Sequence, residues 1–522
     1  LIVMRVLLGT GRGGSCDGGP RRRNCRPFPV PVPVALAVAA QLSLGSRTAA
    51  GYDANVDASL DVQYYSLASP FGDPVVSRRR YTSTLGLELA NIEGEAARRD
   101  VTVSFRSRVR VDADFGIQGA ELDPGSDRYV PGLDAMPVDL MYAYLDANGL
   151  AGGLFGVRLG RQYLIDGLGF WSFDGALVRA ALPLHVELSG FLGVEQRSGL
   201  PMLGTPRFAA DGVWRGDRTG LERDQYPAFL DDSALAPAAG AALETLALPF
   251  AHARIAYRKV QSRSTVLVSP FLDAQGDLLI LDETRTASER ASASVSFDLF
   301  DFTASGSGVY DLYLGRASEA AASLDWHATP ALTVGADAEY VYPTYDADSV
   351  FNWFSHGPTT RVLSRLALAP SRVFDLALGW GVRWFETDAP SSRRSSSGTL
   401  RHAEALASAS ARYRVRSTAF SLSAMGEKGE SGHRAGADFT ARHAYLGGRY
   451  DGLVVLSLYD WSDALRATRD ATSFTYVLGA GLVPSTVLWT RGRLGVEWEH
   501  TVNRLVGQRF RALLTVDLTV LQ

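Results

Sequence analysis

A closed, all-β transmembrane barrel of about 22 antiparallel strands is the fold class this sequence predicts, on three observations. Long segments alternate strictly between apolar and polar or charged side chains. The connections between them alternate between very short and long. After the N-terminus no run of about 18 or more uninterrupted apolar residues occurs, so helical membrane spans are not expected.

The clearest single segment is Val101–Phe115. Val101, Val103, Phe105, Val109, Val111, Ala113 and Phe115 share one parity, and Thr102, Ser104, Arg106, Arg108, Arg110, Asp112 and Asp114 the other. Successive strand side chains point to opposite faces, so one face is apolar and the other carries three arginines in sequence. A soluble core does not accommodate that charged row. A barrel wall does, with its apolar face on lipid and its charged face on water.

The 522 residues are 46% hydrophobic, and the formal net charge is -4. Residues 1–50 hold seven Arg and one Asp, leaving 45 basic and 55 acidic residues, or -10, in the rest; this argues against a nucleic-acid partner. Only Lys259 and Lys428 are lysines, so the positive charge is nearly all guanidinium. That bias fits a GC-rich genome, and it also suits an anion-facing lining.

Residues 1–50 read as an export signal rather than as structure. Arg21, Arg22, Arg23 and Arg26 form a basic region, Pro29–Leu44 is mostly apolar, and Thr48-Ala49-Ala50 supplies small residues for cleavage. Both cysteines, Cys16 and Cys25, lie in this segment, so the expected mature chain, residues 51–522, holds no disulfide framework or thiolate metal site. No cofactor and no metal are expected. Alternation begins at Tyr52, so no N-terminal plug domain is expected before the barrel.

The segments that follow repeat the pattern. Tyr52, Ala54, Val56, Ala58, Leu60, Val62 and Tyr64 oppose a polar set, and Leu85, Leu87 and Leu89 oppose Thr82, Thr84 and Glu88. Phe374, Leu376, Leu378, Trp380, Val382 and Trp384 oppose Asp375, Gly379, Gly381 and Arg383. Ala403 through Ala411 and Tyr413 oppose Glu404, Ser408, Ser410, Arg412 and Arg414. The last segment sets Phe510, Ala512, Leu514, Val516, Leu518 and Val520 against Arg509, Arg511, Thr515, Asp517 and Thr519, although the chain ends Val520-Leu521-Gln522 without the usual terminal aromatic residue.

Short connections such as Leu182-Pro183-Leu184, Phe300-Asp301, Thr329-Pro330-Ala331 and Arg416-Ser417 alternate with polar stretches at 66–80, 113–135, 196–239, 264–285, 345–358 and 387–401. Periplasmic turns and outer loops of bacterial barrels differ in this way. Taking strands between these connections gives about 22, an even number with both ends on one side; 18–22 is compatible with the pattern, and 240–248 alternates least well. A lumen of this size needs a plug or infolded loops.

In Leu154–Ile165, Arg158, Gly160 and Gln162 face one way and Phe155, Val157 and Leu159 the other, while Arg161 breaks parity and is expected at a rim or bulge. Phe173-Asp174-Gly175 and Val178-Arg179 follow. Across residues 141–195 the chain resembles the alginate-export type of outer-membrane porin, which has a similar Arg-Leu-Gly-Arg-Gln strand followed by Phe-Asp-Gly. That resemblance implies an outer-membrane channel, with saccharides among its solutes.

Parity makes Arg106, Arg108, Arg110, Arg158, Arg179, Arg254, Arg258, Arg383, Arg412, Arg491, Arg493, Asp375 and Glu497 candidate pore-lining residues. Such charges can set a field that selects anions, or pair across strands and brace the wall. The longest connection, Arg197–Ala239, with Trp214, Arg215, Asp217 and Arg218, is the expected constriction loop, a surface-exposed loop being the alternative. Acidic groups at Glu121, Asp123 and Asp127, or Asp346 and Asp348, read as solvated turns rather than calcium sites.

No nucleophile elbow, phosphate loop or zinc motif occurs in a fitting context, and the eight histidines are scattered, so no enzymatic activity is expected. The expected function is a porin-like passive channel for small polar or anionic solutes in the outer membrane of a Gram-negative bacterium. Its partners would be outer-membrane lipid, lipopolysaccharide and the solute. The alternative is a non-conducting barrel that serves as an adhesin or as a sheath for a partner protein.

Overall fold

Strand pairing in the computed structural model closes the alternating segments into one ring. Residues 52–68, 74–93, 101–114, 138–183, 185–196, 236–246, 248–262, 266–272, 278–281, 285–343, 357–388, 399–430, 432–463, 471–483, 490–504 and 507–521 are described by the structure. The first nine strands are β1 (Asp53–Ala68), β2 (Pro74–Ala90), β3 (Thr102–Asp114), β4 (Val138–Gly149), β5 (Phe155–Asp166), β6 (Gly169–Leu182), β7 (Val186–Glu195), β8 (Pro237–Thr245) and β9 (Ala251–Ser262). β10 (Val266–Leu272) and β11 (Leu278–Leu281) pair only with each other. The wall resumes with β12 (Arg285–Leu299), β13 (Phe302–Asp311), β14 (Arg316–Thr329), β15 (Leu332–Val341), β16 (Thr359–Ser371), β17 (Phe374–Asp388) and β18 (Thr399–Val415). It ends with β19 (Thr418–Gly429), β20 (Gly432–Tyr445), β21 (Tyr450–Asp463), β22 (Ala471–Leu482), β23 (Thr490–Asn503) and β24 (Gly507–Leu521).

Each wall strand pairs antiparallel with the next, β9 passes directly to β12, and β24 returns to β1 from Asn55↔Leu521 to Leu67↔Arg509. The result is a closed, 22-stranded up-and-down barrel. With strands about 4.8 Å apart and tilted about 40°, such a ring is roughly 40–45 Å across.

The expected strand count is met, and the boundaries differ in three places. The stretch 66–80 is mostly strand, since β1 runs to Ala68 and β2 starts at Pro74, and β17 and β18 likewise extend into 387–401. The stretch 264–285, read as an irregular polar loop, carries the β10–β11 hairpin. The weakest segment is a wall strand, β8, shifted to 237–245 and bonded on both sides.

All the long connections, at 115–137, 196–236, 263–284 and 342–358, leave from one end of the ring, and the opposite end carries tight turns such as Phe300-Asp301 and Arg416-Ser417. Phe300 (φ 53°) and Arg416 (φ 52°) take the left-handed conformation that such short turns demand.

Registered neighbours lie on the same face, so the ladder sorts side chains into two faces. One face exposes Leu159, Val178, Leu192, Ile255, Leu324, Val362, Trp380, Leu422, Leu458, Leu478 and Trp498. Aromatic residues mark its tight-turn end, at Phe297, Phe302, Trp326, Tyr413, Phe420 and Tyr450. The other face carries most of the ion pairs, while Lys259–Glu289, Arg401–Glu386 and His433–Asp460 keep the apolar parity near the strand ends that lead to the long connections. Charges moved into hydrocarbon cost several kcal/mol each, so the apolar face is the outer one. Trp380→Arg, near mid-strand on that face, is expected to cost ~2–4 kcal/mol of folding into vesicles. Ser408→Arg, on the inner face, should change stability by about 0.5 kcal/mol or less in urea titrations.

Candidate functional site

Register places the candidate residues on the inner face together. Asp57 pairs with Gly86 and Gly86 with Arg108; Arg106 pairs with Tyr144 and Tyr144 with Gly160. Another row runs Arg158, Leu177, Phe191, Gly240, Arg258, Arg290 and Asp311. A third joins Arg254, Ser294, Ser307, Ala321, Glu339, Arg361, Arg383 and Glu404. Asp375 lies beside Arg412, Arg493 beside Asp517, and Glu497 beside Gly479. Arg491 keeps the same parity, and its side chain is outside the described set.

Most of these charges are paired across strands. Arg106 meets Glu88 at 2.5 Å and Arg108 meets Asp57, whereas Arg110 meets Asp112 at 2.5 Å along β3 itself. Arg158 and Arg179 each reach Asp146 at 2.8 Å. Arg254 contacts Glu244, Arg383 bridges Glu404 and Glu427, Arg412 and Arg414 share Asp375, and Arg493 lies 3.5 Å from Asp451. Several pairs skip a strand, and glycine makes room for them. A Cβ on Gly86 would overlap the Asp57 carboxylate that reaches across it to Arg108. A Cβ on Gly335 would overlap Asp325, whose carboxylate meets Arg365 at 3.2 Å. The described part of the inner face is therefore a lattice of alternating donors and acceptors.

The second feature is an infolded hairpin. β5 bonds to β4 only from Val157 to Arg161, and β6 bonds to β7 only from Phe173 onward. Between these limits β5 and β6 pair with each other alone. The departure follows a row of three glycines, Gly160↔Gly175↔Gly193. Gly160 has φ +122°, where L side chains are strained, and a Cβ on Gly175 would lie 2.6 Å from the Gly193 Cα. Without side chains the sheet creases there, and the tip turns inward. Arg161, which broke parity, sits at the crease, bonded by Nε to Asp174 at 2.8 Å and by Nη1 to the Leu140 carbonyl at 3.0 Å.

The tip crosses the inner face of the neighbouring wall. Arg258 Nη2 donates to the Leu168 carbonyl at 3.0 Å, and a Cβ on Gly167 would meet Ser292 Oγ of β12 at 3.0 Å. β12 stands four strands beyond β6, roughly 19 Å around the wall. The underside of the hairpin is apolar. Trp171 stacks on Phe173 at 4.5 Å and meets Phe191 at 4.9 Å, its Nε1 donates to Glu195 at 2.7 Å, and Arg258 lies over its ring. With Leu177, Ala236, Ala238, Val260 and Ala287 these form a buried core on the inner wall. The upper side carries Tyr163 and Phe170, stacked at 5.8 Å, with Tyr142 at 5.7 Å from Tyr163 and Tyr144 next along the wall. Ile165 beside them is 73% exposed.

Parity reasoning missed this hairpin because it treated β5 and β6 as full wall strands. The available signals were the off-parity Arg161 and three glycines at matching heights. The expected constriction residues Trp214, Arg215, Asp217 and Arg218, and the acidic groups at 121–127 and 346–348, lie outside the described residues. Among the described residues no helix is long and apolar enough to cross a membrane, which leaves crossing by strands untouched.

No family model matches the chain, and no curated protein matches it. Among solved structures it is similar to Acinetobacter baumannii OccAB1, at 9% identity over 90% of this chain and 96% of that one, with a TM-score of 0.41. It is similar as well to the Pseudomonas aeruginosa outer membrane protein OpdK, at 9% identity over 90% and 99%, TM-score 0.39. A BenF-like porin from Pseudomonas fluorescens matches at 9% identity over 90% and 98%, TM-score 0.39.

Proposed function

We propose that this protein is a porin-like passive channel of the bacterial outer membrane, carrying small polar and anionic solutes. The observation that carries the reading is a closed 22-stranded ring with an apolar outer face, an ion-paired inner face and an infolded hairpin that narrows the lumen. A sheath or adhesin has no need of a polar, narrowed interior. Residues 1–50 serve as the export signal, and lipopolysaccharide meets the outer rim. Saccharide hydroxyls, as in the alginate-export resemblance, suit a lattice of paired donors and acceptors beside tyrosine rings.

Purified protein in planar bilayers is expected to give discrete open-channel steps. Their absence in protein that shows heat-modifiable gel migration would favour the sheath reading. Arg106, Arg108 and Arg110 hold the densest positive row, so changing all three to Gln should shift the reversal potential in a salt gradient toward lower anion preference. Unchanged selectivity would confine these arginines to bracing the wall.

A further inference from the structure

Beneath the infolded hairpin lies a cavity of about 210 Å³. Four guanidiniums line it, from Arg158, Arg179, Arg254 and Arg258, and its apolar lining comes from Leu164 and Leu168 of the hairpin above and from Leu177 and Phe191 of the wall that floors it. We propose that this cavity binds a small organic monoanion, an oxyanion head on a short apolar body, as a station for solute crossing the channel. The proposal rests on the channel reading and names the solute class of the same lumen.

The donors exceed what docking the hairpin uses. Arg158 and Arg179 share one carboxylate, Asp146, and Arg179 completes its contacts on Asn148 at 2.6 Å. Arg254 directs Nη1 at Glu244, and its Nε is buried without an acceptor among the described residues. Its contact with Asp166 of the hairpin tip is 3.6 Å, too long for a hydrogen bond and open to replacement by an incoming oxyanion. Each guanidinium carries five donors in a planar fork matched to a carboxylate. The floor supplies burial for a few methylenes and nothing for a second charge, and Glu187 on the same lining adds a negative charge. A monoanion therefore suits the site better than a dianion.

The test is isothermal titration of the intact, detergent-purified barrel with butyrate and, separately, with succinate. Butyrate is expected to bind more tightly than succinate. Arg179→Gln and Arg254→Gln should each weaken butyrate by about tenfold or more, the loss of one charged hydrogen bond. Asp166→Asn should tighten it, because the competing carboxylate is gone. If these arginines serve only to dock the hairpin, Asp166→Asn would loosen the tip and weaken binding, and that outcome overturns the proposal. So does butyrate binding that neither arginine substitution changes, or no butyrate binding at all. None of these measurements uses membrane current, so absence of conductance would sink the channel reading separately.

Discussion

Replacing Tyr163–Ser172 by an Asn-Gly turn that joins Gln162 to Phe173 is expected to raise single-channel conductance severalfold. The excised segment lies outside the strand register of the wall, since β4 releases β5 after Arg161 and β7 first pairs with β6 at Phe173. Its bonds to the wall are docking contacts, from Gln196 N to the Ser172 carbonyl at 2.9 Å, from Trp171 to Glu195 and from Arg258 to the Leu168 carbonyl. Barrel closure therefore survives, and a two-residue Asn-Gly loop suits antiparallel strands at that register. What is lost is the tip, which spans the inner face as far as Ser292 and Arg258. Ion flow depends steeply on the narrowest section, so removing an element that crosses four strands should dominate any change in surface charge. Unit conductance equal to wild type, in protein that still shows heat-modifiable migration, would place the constriction elsewhere. Gly175→Val probes the same element at its crease. Its new side chain would meet backbone on the adjoining strand, at the Leu192 carbonyl and the Gly193 Cα, where no side chain can move aside. Either the crease opens and conductance rises, or the barrel yield falls.

The wall was legible in sequence because a period of two is a local property. Trp380 and Arg383 declare their faces without knowledge of any partner strand, and so do Arg106, Arg108 and Arg110. The strand with the poorest alternation, β8, was hard to read for a reason found in its neighbours. Ala238, Gly240 and Ala242 face inward there, and a Cβ on Gly240 would collide with the Phe191 ring. The inner face of β8 is kept small so that the aromatic cluster and the hairpin above it fit. That requirement comes from packing between distant segments, and local pattern does not record it.

The charge lattice was half legible. Parity gave the face but not the partners, because the pairs that skip a strand, such as Arg108 with Asp57 across Gly86, depend on the register of three successive strands. Arg158-Leu-Gly-Arg-Gln162 and Phe173-Asp-Gly175 stood out as a motif, and their geometry gives them a mechanical role. They hold the glycines of the crease, the Arg161–Asp174 pair beside it, and Gln162 and Phe173, both fully buried beneath the hairpin. A motif that looks like a solute-contact signature is first of all what turns a wall hairpin into the lumen.

Trp171→Ala is expected to release that hairpin. The indole is 5% exposed, packed between Phe173 and Phe191, capped by Arg258 and bonded to Glu195. Truncating a buried tryptophan costs about 3–5 kcal/mol. Nearly all of that falls on docking rather than on the barrel, since residues 162–172 lie outside the wall ladder. A loss of this size shifts the docked-to-undocked ratio by roughly 10²–10⁴. Open-channel current should then become larger and noisier, and proteases should cleave between Gln162 and Ser172, while the urea midpoint of the barrel stays near wild type. Trp171→Phe keeps the stacking and loses only the indole donor, so it should remain mostly docked. If Trp171→Ala is as quiet and protease-resistant as wild type, the aromatic core is not what holds the tip, and the burden passes to the Arg258–Leu168 bond and the Arg254–Asp166 contact. If instead the whole barrel loses stability, the inner core braces the wall itself, and the hairpin is part of the fold rather than an insert within it.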